Sequence, residues 1–342
     1  MAKESMDNAK KNKSDEFYTQ LSDIEKELCH YKEYFKNKIV FCNCDDPYES
    51  NFFKYFALYF NYLELKKLIC TCYDASPIKN QQLAIIPDSN PYMIEISEIL
   101  DENNDGAIDL TDVQYLLRSK KNVLKKLKSG DFRSEECIKL LEESDIVVTN
   151  PPFSLFREFV SQITNHHKDF IIIGNTNALT YKEIFKLFQE DKIRTGYTNF
   201  NVGMYFYVPE TAEKYHKIEN GKKMVRVSTS CWFTSLPVKK HTENLILYKK
   251  YNPQEYPKYD NYDAINVNTY TNIPYDYEGD IGVPITFLDK YNPRQFEILG
   301  MASSAGYNKE IVGLEFLGDK DARPLIKGKN TFARVFIKRR NQ

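Results

Sequence analysis

The sequence contains no run of apolar residues that approaches the roughly 20 needed to span a bilayer, which excludes a membrane-spanning helix. Its charge is nearly balanced, with 47 Lys and Arg against 48 Asp and Glu and a net charge of -1. This balance excludes a strongly basic nucleic-acid coat protein, so a DNA-binding face requires local segregation of charge. The lysine-rich segment 1–14 lacks the apolar stretch of a signal peptide, and the seven cysteines are therefore expected to be reduced thiols in the cytoplasm.

The composition is typical of a soluble globular protein. The 342 residues are 42% hydrophobic and 28% charged, and this length suits one large or two ordinary domains. Aromatic residues make up 14% of the chain, with 25 Tyr and 22 Phe but a single Trp. Such a surplus of flat rings suits a protein that handles nucleobases, and it suits an ordinary core equally well.

Four of the cysteines form two pairs, Cys42-x-Cys44 and Cys70-x-Cys72, each within an apolar stretch. Alternation along a strand places both thiols of a pair on one face, and four such thiols could bind zinc. Structural zinc sites, however, usually space their ligands two to four residues apart on turns. The pairs are therefore predicted to be buried packing residues, and no metal is expected at them.

The spacing of apolar residues predicts an α/β fold with a doubly wound parallel sheet. The predicted strands are 39–45, 65–74, 144–150 and 169–175, and the predicted helices are 20–36, 50–65 (with Ser50 as N-cap), 136–143, 154–164 and 180–190. This alternation is expected to continue to about residue 235, with the polar segment 75–128 as an insertion. Residues 1–235 would form the main domain. Residues 236–342, which contain a Tyr-, Asn-, Asp- and Pro-rich segment, would form a second region that ends in a basic strand.

The strongest chemical signal is Asn150-Pro151-Pro152-Phe153, directly after a predicted strand. Open α/β sheets build their sites at the carboxyl ends of strands. An amino group on a heteroaromatic ring is a poor nucleophile because its lone pair is delocalised. The Asn150 side-chain oxygen and the Pro151 carbonyl could each accept one of its N–H bonds and direct the lone pair at an electrophile, and Phe153 could stack on the ring. The pattern is typical of N-methyltransferases acting on adenine N6, cytosine N4 or a glutamine amide; the alternative is an ordinary turn.

Such an enzyme requires a methyl donor, and the motif predicts S-adenosylmethionine as the cofactor. The usual glycine-rich loop is missing after the first strand, where an acid could instead pair with the ammonium group of the methionine moiety. The second strand end would meet the ribose, and the segment SGDFRS would hold the adenine. The predicted cofactor residues are Asn43, Asp45, Asp46 and Pro47, then Tyr73 and Asp74, then Asp131 and Phe132. Each of them could instead be a turn or core residue.

The chain resembles the EcoRI modification methylase family of adenine-specific DNA methyltransferases. The resemblance weakens at 75–128 and 195–230, and it is carried in order by KNKSDEFYTQ (11–20), FCNCDDPYESNFFKYFALYF (41–60), GDFRSEECIKLLEESDIVVTNPPFSLFREF (130–159), PKYDNYDAINVN (257–268) and IGVPITFLDKYNPRQFEI (281–298). It implies that Phe17, Tyr18 and Thr19 meet the methionine carboxylate, and that Asn150 to Phe153 act on the target base.

The resemblance further implies a class I S-adenosylmethionine-dependent methyltransferase fold and a monomer that methylates N6 of a flipped-out adenine in double-stranded DNA. It implies a type II restriction–modification role, with a cognate endonuclease as functional partner and GAATTC as the first candidate site. Three alternatives stay open: methylation of cytosine N4, methylation of RNA or of a protein glutamine, and an inactive nucleic-acid-binding scaffold.

Two further patterns are weaker. Asp101, Asn103, Asp105 and Asp112 fit a calcium loop with Asp at the twelfth position, where it reaches less far than Glu; the alternative is an acidic turn before a helix. DNA target recognition is expected within 236–300. Candidate phosphate contacts, which could equally be solvated lysine runs, are Lys120, Lys121, Lys125, Lys126, Lys128, Lys222, Lys223, Arg226, Lys239, Lys240, His241, Lys338, Arg339 and Arg340.

Overall fold

The computed structural model divides the chain into two compact units. Unit one contains residues 1–175 and 196–234, and unit two contains residues 176–195 and 235–342. The residues that the structure describes are 18–47, 50–72, 91–101, 105–106, 108–109, 111–113, 115, 123–208, 210, 212–303 and 323–340.

The helices are α1 (Leu21–Leu28), α2 (Lys32–Phe35), α3 (Asn51–Leu58), α4 (Glu135–Glu143), α5 (Phe156–Asn165) and α6 (Lys182–Gln189). The strands are β1 (Tyr18–Thr19), β2 (Ile39–Cys42), β3 (Lys67–Thr71), β4 (Tyr92–Ile96), β5 (Val123–Lys126), β6 (Ile146–Thr149), β7 (Asp169–Asn175), β8 (Arg194–Thr195), β9 (Met204–Tyr207), β10 (Lys217–Glu219), β11 (Lys222–Val227), β12 (Ser230–Thr234), β13 (Ala264–Asn266), β14 (Asp280–Pro284), β15 (Phe296–Ala302), β16 (Leu325–Ile326), β17 (Lys329–Asn330) and β18 (Arg334–Arg339).

Unit one is built on a mixed sheet in which its strands have the order β5-β4-β3-β2-β6-β7-β12. The four central strands β3, β2, β6 and β7 run parallel, with Val40 of β2 opposite Leu68 on one side and Ile146 on the other. Every residue of β2 and β6 is buried, as expected for short apolar runs in a parallel sheet covered on both faces. The four predicted strands are confirmed.

Helix α3 follows β2 and completes the predicted strand–helix–strand unit with β3. The Ser50 hydroxyl accepts hydrogen bonds from the backbone N–H groups of Phe52 and Phe53, which confirms its role as the N-cap. The predicted helix 20–36 is divided into α1 and α2 by a 3₁₀ turn at Cys29–Tyr31. At this turn the Tyr31 ring is buried and its hydroxyl donates a hydrogen bond to a Glu27 carboxylate oxygen at 2.9 Å.

The expectation that a parallel alternation continues to about residue 235 is wrong. Strands β9, β10 and β11 instead form an antiparallel sheet with β1, in the order β1-β9-β11-β10, and β12 runs antiparallel to β7. Turn residues explain one of these antiparallel pairs, because Asn220 and Gly221 both have positive φ and close a two-residue hairpin between β10 and β11. Helix α6 forms within the predicted 180–190 range but belongs to unit two. Segment 75–128 contributes β4 and β5, which extend the central sheet antiparallel to β3.

Unit two contains a four-stranded sheet in the order β13-β14-β18-β15. The predicted final strand is confirmed as β18, which pairs antiparallel with both β14 and β15. Phe336 of β18 is fully buried, and its ring centroid lies 5.5 Å from that of Tyr259 and 4.8 Å from that of Tyr262. The tyrosine-rich segment therefore supplies core residues as well as loops.

Three of the four paired cysteines are buried in unit one, whereas Cys44 is half-buried. Cys42 and Cys70 are opposite each other on β2 and β3 and fully buried, and Cys72 beyond β3 is buried as well. Burial raises the pKa of the Cys42 and Cys70 thiols, so they remain protonated packing groups. Within the described residues, no three His, Cys, Asp or Glu side chains are grouped so that they could hold a metal ion, and no helix is long and apolar enough to cross a membrane.

Candidate active site

The carboxyl ends of β2 and β6 are joined by a buried carboxylate. Asp45, three residues beyond β2, accepts a hydrogen bond from the Thr149 hydroxyl at the end of β6, with a distance of 2.5 Å to Oδ2. Its other oxygen accepts a hydrogen bond from the Ser50 hydroxyl at 2.7 Å. Since Ser50 caps α3, one side chain connects the two neighbouring strands and the following helix.

The electrostatics of Asp45 set it apart from a surface acid. Burial raises its pKa to about 6; the hydroxyls of Thr149 and Ser50 oppose this shift, and the neighbouring charge of Asp46 adds to it. The carboxylate is 7% exposed and ionised at neutral pH. The partners shown for it are hydroxyl groups, so its negative charge is not neutralised by them.

The rest of the predicted loop after β2 is also held by specific contacts. Asp46 accepts hydrogen bonds from the Tyr92 hydroxyl at 2.9 Å and from the Cys72 thiol at 3.4 Å, so it connects β2 to the ends of β3 and β4. Asn43 is buried, and its side-chain oxygen accepts a hydrogen bond from the Cys44 thiol at 3.6 Å. Pro47 is buried as well.

The segment Asn150 to Phe153 follows β6 directly, as predicted. Pro151 is buried, whereas Asn150, Pro152 and Phe153 are half-buried, and Phe153 begins a 3₁₀ turn that leads into α5. The Phe153 ring meets the Phe206 ring of β9 edge to face, with centroids 6.3 Å apart and an interplanar angle of 81°.

Strand β1 directs the Thr19 side chain to the same side of the sheet as Phe206, whereas the side chain of the predicted residue Tyr18 points to the opposite side. Thr19 lies opposite Phe206 in the β1–β9 pair, and its carbonyl oxygen accepts a hydrogen bond from the Asn51 side chain at the start of α3. The Thr19 hydroxyl is buried, and among the described residues its oxygen has no hydrogen-bond partner. A buried hydroxyl in that state is suited to a ligand, because an unsatisfied polar group costs free energy until it is paired.

The predicted adenine-holding pair, Asp131 and Phe132, has a different environment. Both Asp131 oxygens accept hydrogen bonds from the Arg133 guanidinium, at 2.9 and 2.6 Å, and these bonds lower the pKa of the Asp131 carboxyl. The Phe132 ring is buried edge to face against Phe159 of α5 at 5.1 Å. Burial raises the pKa of the Cys44 thiol beyond β2, and the nearby charges of Asp45 and Asp131 add to this shift, so Asp131 lies on the same side of unit one as the loop after β2.

Several predicted residues are not placed at this site. Phe17, Tyr73, Asp74 and Asn103 lie outside the described residues. In the calcium-like segment, the Asp101 carboxylate accepts hydrogen bonds from the backbone N–H groups of Asp105 at 3.2 Å and Gly106 at 2.8 Å. The Asp112 carboxylate accepts one from the backbone N–H of Asp109 at 2.9 Å. These contacts are compatible with an acidic turn and with a calcium loop, so calcium binding stays a prediction.

One residue beside the site was missed from the sequence. The buried Glu27 of α1 accepts hydrogen bonds from the Tyr31 hydroxyl, from the backbone N–H groups of Tyr197 and Thr198, and from the Thr198 hydroxyl, at 2.6 to 2.9 Å. It thereby fixes the loop that leads into β9. Its loop partners lie about 170 residues further along the chain, so their contacts could not be predicted from the sequence. The one local sign of a buried role is that Glu27 is an acid on the apolar face of a helix.

The geometry and the comparisons with known proteins agree. The model of the adenine-specific methyltransferase EcoRI family matches residues 5–340. This chain belongs to that family. It is 47% identical to the type II methyltransferase M.EcoRI of Escherichia coli over 299 residues, which cover 85% of this chain and 87% of the relative. The resemblance inferred from the motifs is confirmed, as is the assignment to the adenine-specific methyltransferases.

Two mycoplasma relatives extend the match to almost the full length. The chain is 36% identical to the type II methyltransferase M.MgeORF184P of Mycoplasma genitalium and 36% identical to M.MpnI of Mycoplasma pneumoniae, with 97% of each chain covered in both comparisons. No solved structure matches the chain.

Proposed function

We propose that this protein transfers the methyl group of S-adenosylmethionine to N6 of a flipped-out adenine in double-stranded DNA. The observation that carries the proposal is the Thr149–Asp45 hydrogen bond, which holds the Asn150 to Phe153 segment beside the loop after β2. Direct methyl transfer requires the cofactor pocket at the loop after β2 to lie beside the pocket for the target base at Asn150 to Phe153. Family membership supports the adenine specificity.

The fold supports the same proposal. The parallel order β3-β2-β6-β7, followed by an antiparallel β12, is the arrangement expected of a class I S-adenosylmethionine-dependent methyltransferase. In such open sheets the ligand lies at the carboxyl ends of the strands. Asn150 follows the end of β6 directly, and Asp45 and Asp46 lie in the loop after the end of β2.

The residues present fit the cofactor. Asp45 offers a buried negative charge for the methionine ammonium group, and the Thr19 hydroxyl offers a donor for the methionine carboxylate. Asp131 would accept a hydrogen bond from the adenine amino group, with Phe132 packed beneath this segment. Tyr73 and Asp74 remain the predicted ribose contacts, and Phe17 a contact of the methionine end. When bound, S-adenosylmethionine supplies an electrophilic methyl group on its sulfonium.

The chain's own residues would prepare the target base for attack. The Asn150 side-chain oxygen and the Pro151 carbonyl would accept the two N6 hydrogens and localise the nitrogen lone pair. Consecutive prolines restrict the backbone, so the acceptors keep their direction. Phe153 would stack on the flipped ring, because the stacked duplex does not expose N6 for in-line attack. The N6 proton can leave to solvent, so neither a general base nor a covalent intermediate is required.

The biological setting follows from the same proposal. The protein would act as a monomer in the cytoplasm and protect DNA from a cognate restriction endonuclease, to which it need not bind. Residues 1–235 would carry cofactor binding and catalysis, and residues 236–342 would recognise the target. The relative M.EcoRI makes GAATTC the first sequence to test.

The test is a transfer assay with a matched asparagine control. The unaltered protein, Asn150→Ala and Asn165→Ala are incubated with S-adenosylmethionine carrying a labelled methyl group and with duplexes that contain or lack GAATTC. Labelled nucleosides are then identified. Asn165 is exposed at the end of α5 and should be replaceable without effect.

The expected product is N6-methyladenine from the unaltered protein and from Asn165→Ala. Asn150→Ala should lose at least about 100-fold in rate while it still binds the cofactor, since acceptors aimed at the reacting group contribute about this much. Label on cytosine N4, or no label on DNA from a protein that binds the cofactor, would contradict the proposal.

A further inference from the structure

The sheet β1-β9-β11-β10 has two faces of different character. Residues opposite each other in antiparallel pairs point to the same side, and neighbours along a strand point to opposite sides. Thr19 and Phe206 therefore share one face, and Phe206 contacts Phe153 of the catalytic segment. This face belongs to the site already described.

The opposite face combines tyrosines with cations. Tyr18 lies opposite Tyr207, Tyr207 lies opposite Met224, and Tyr205 lies opposite Arg226, so the alternation places all of them on this side. Lys217 and Lys222 complete it through their pairs with Met224 and Glu219 in the β10–β11 hairpin. We call this set the basic tyrosine face; its members are Tyr18, Tyr205, Tyr207, Lys217, Glu219, Lys222, Met224 and Arg226.

Contacts within the basic tyrosine face organise its charges. The Lys217 ammonium lies 4.5 Å from the centroid of the Tyr205 ring, and the Lys222 ammonium lies 5.3 Å from that of Tyr207. Met224, on the same side, is fully buried. Lys222 and Arg226 are exposed, and the Arg226 guanidinium donates a hydrogen bond to the Val202 carbonyl at 3.0 Å.

The balance of charge on this face is positive. Three cations stand against the single carboxylate of Glu219, which is paired with Lys217 at 3.1 Å. The lysine run of the sequence is divided by the strand, because Lys223 points to the other side and donates hydrogen bonds to the backbone carbonyls of Glu210 and Ala212. Sequence proximity alone would have grouped Lys223 with Lys222.

We infer that the basic tyrosine face binds the phosphate backbone of the substrate DNA. Lys and Arg are the side chains that neutralise phosphates, and tyrosine hydroxyls and rings pack against the sugar–phosphate chain. Strand β9 presents Phe206 to the catalytic segment and Tyr205 and Tyr207 to the opposite side, so this face would hold the duplex away from the flipped base. The inference rests on the proposed function, since it requires DNA as the substrate.

The test measures DNA affinity as a function of salt. The variants are Lys222→Ala/Arg226→Ala, the charge-preserving Lys222→Arg/Arg226→Lys, and, as a matched control, Lys26→Ala/Lys139→Ala, whose lysines are exposed on α1 and α4. Each is titrated with fluorescent duplexes of about 30 base pairs, one with GAATTC and one without. Binding of S-adenosylmethionine is measured in parallel to establish that the fold is intact.

Two lost phosphate contacts should lower the slope of log K against log salt by about 2, because each phosphate contributes about 0.9. At 0.15 M salt each contact contributes about fivefold, so the affinity should fall about 25-fold, to a similar extent on both duplexes. The charge-preserving variant should keep the parent slope, and Lys26→Ala/Lys139→Ala should stay within about twofold of the parent.

Two outcomes would overturn the inference: an unchanged slope in Lys222→Ala/Arg226→Ala, or an equal loss in the Lys26→Ala/Lys139→Ala control. The methylation product is recorded for the unaltered protein in the same experiment. Absence of N6-methyladenine together with a reduced slope would contradict the proposed function and leave this surface standing. Production of N6-methyladenine together with an unchanged slope would support the proposed function and overturn the inference about the basic tyrosine face.

Discussion

Replacing Asp45 with Asn should stabilise the free protein and weaken its binding of S-adenosylmethionine. The carboxylate is 7% exposed, and burial raises its pKa from the ordinary 3.8 to about 6. Since a tenfold change in an ionisation constant corresponds to about 1.4 kcal/mol, ionised Asp45 lowers the free energy of unfolding by about 3 kcal/mol relative to a neutral side chain. An Asn is uncharged, and the Ser50 and Thr149 hydroxyls can still hydrogen-bond with its oxygen and its amide group.

The gain in stability from Asp45→Asn depends on pH, because only the ionised carboxylate destabilises the folded protein. Below about pH 4, Asp45 is protonated in both the folded and the unfolded chain, and the substitution should change little. As the pH rises from about 4 to about 6, the unfolded chain ionises first, so the unaltered protein loses stability progressively. The full difference between Asp45→Asn and the unaltered protein should therefore be present above about pH 6.

Urea unfolding at about pH 4 and about pH 8, with and without S-adenosylmethionine, measures both effects. At pH 8 Asp45→Asn should be about 1–3 kcal/mol more stable than the unaltered protein, and the cofactor should stabilise it much less. Loss of a charged hydrogen bond predicts an affinity about 10- to 150-fold weaker. Asp105→Asn, at an exposed position, is the control and should match the unaltered protein. Equal stability at pH 8, or a gain of the same size at both pH values, would refute the argument.

Three further substitutions test the surroundings of the site. Thr19→Val should leave the stability of the free protein within about 1 kcal/mol, because the hydroxyl oxygen has no hydrogen-bond partner among the described residues. The same substitution should weaken S-adenosylmethionine binding about 5- to 10-fold, as measured by calorimetry. Glu27→Gln should lower the free energy of unfolding by about 2–4 kcal/mol, because its amide would face a backbone donor of Tyr197 or Thr198, and urea unfolding measures this loss. Gly196→Ala should lower the free energy of unfolding by about 1–3 kcal/mol in the same assay, because the added Cβ would clash with a Glu27 oxygen. An unchanged midpoint of unfolding would show that the loop moves to relieve this clash.

The central strands could be predicted from the sequence because their signal is local. Strands β2, β3, β6 and β7 are short apolar runs, and a strand buried on both faces needs nothing else to be recognised. The position of the Asn150 to Phe153 segment follows from β6 alone. For the same reason, Asp45 could be placed at a strand end from the sequence, but its contact with Thr149 could not, because 104 residues separate the two.

The antiparallel sheet of unit one was missed although one signal was present. Asn220-Gly221 is a strong hairpin signal when apolar or alternating strands flank it. Here the flanking strands carry Lys, Glu and Arg, and the second strand is only half apolar, so the sequence indicates a run of candidate phosphate contacts or solvated lysines and no hairpin. Strand alternation alone divides Lys222 from Lys223, but which of the two faces each lysine joins depends on the register with β9, which residue spacing does not specify.

The two acids assigned to the cofactor differ in their electrostatics in the way that their proposed ligand groups differ. The hydrogen bonds to Asp45 come from hydroxyls, which stabilise its charge without cancelling it, so the charge stays available for an ammonium group. Asp131 is paired with the Arg133 guanidinium, which cancels its charge but leaves further lone pairs on its oxygens. A neutral adenine amino group needs only such an acceptor. If the cofactor lay the other way round, its ammonium group would face Asp131, whose charge is already cancelled by Arg133. The different partners of the two acids therefore favour the methionine end of the cofactor beside Asp45 and its adenine near Asp131.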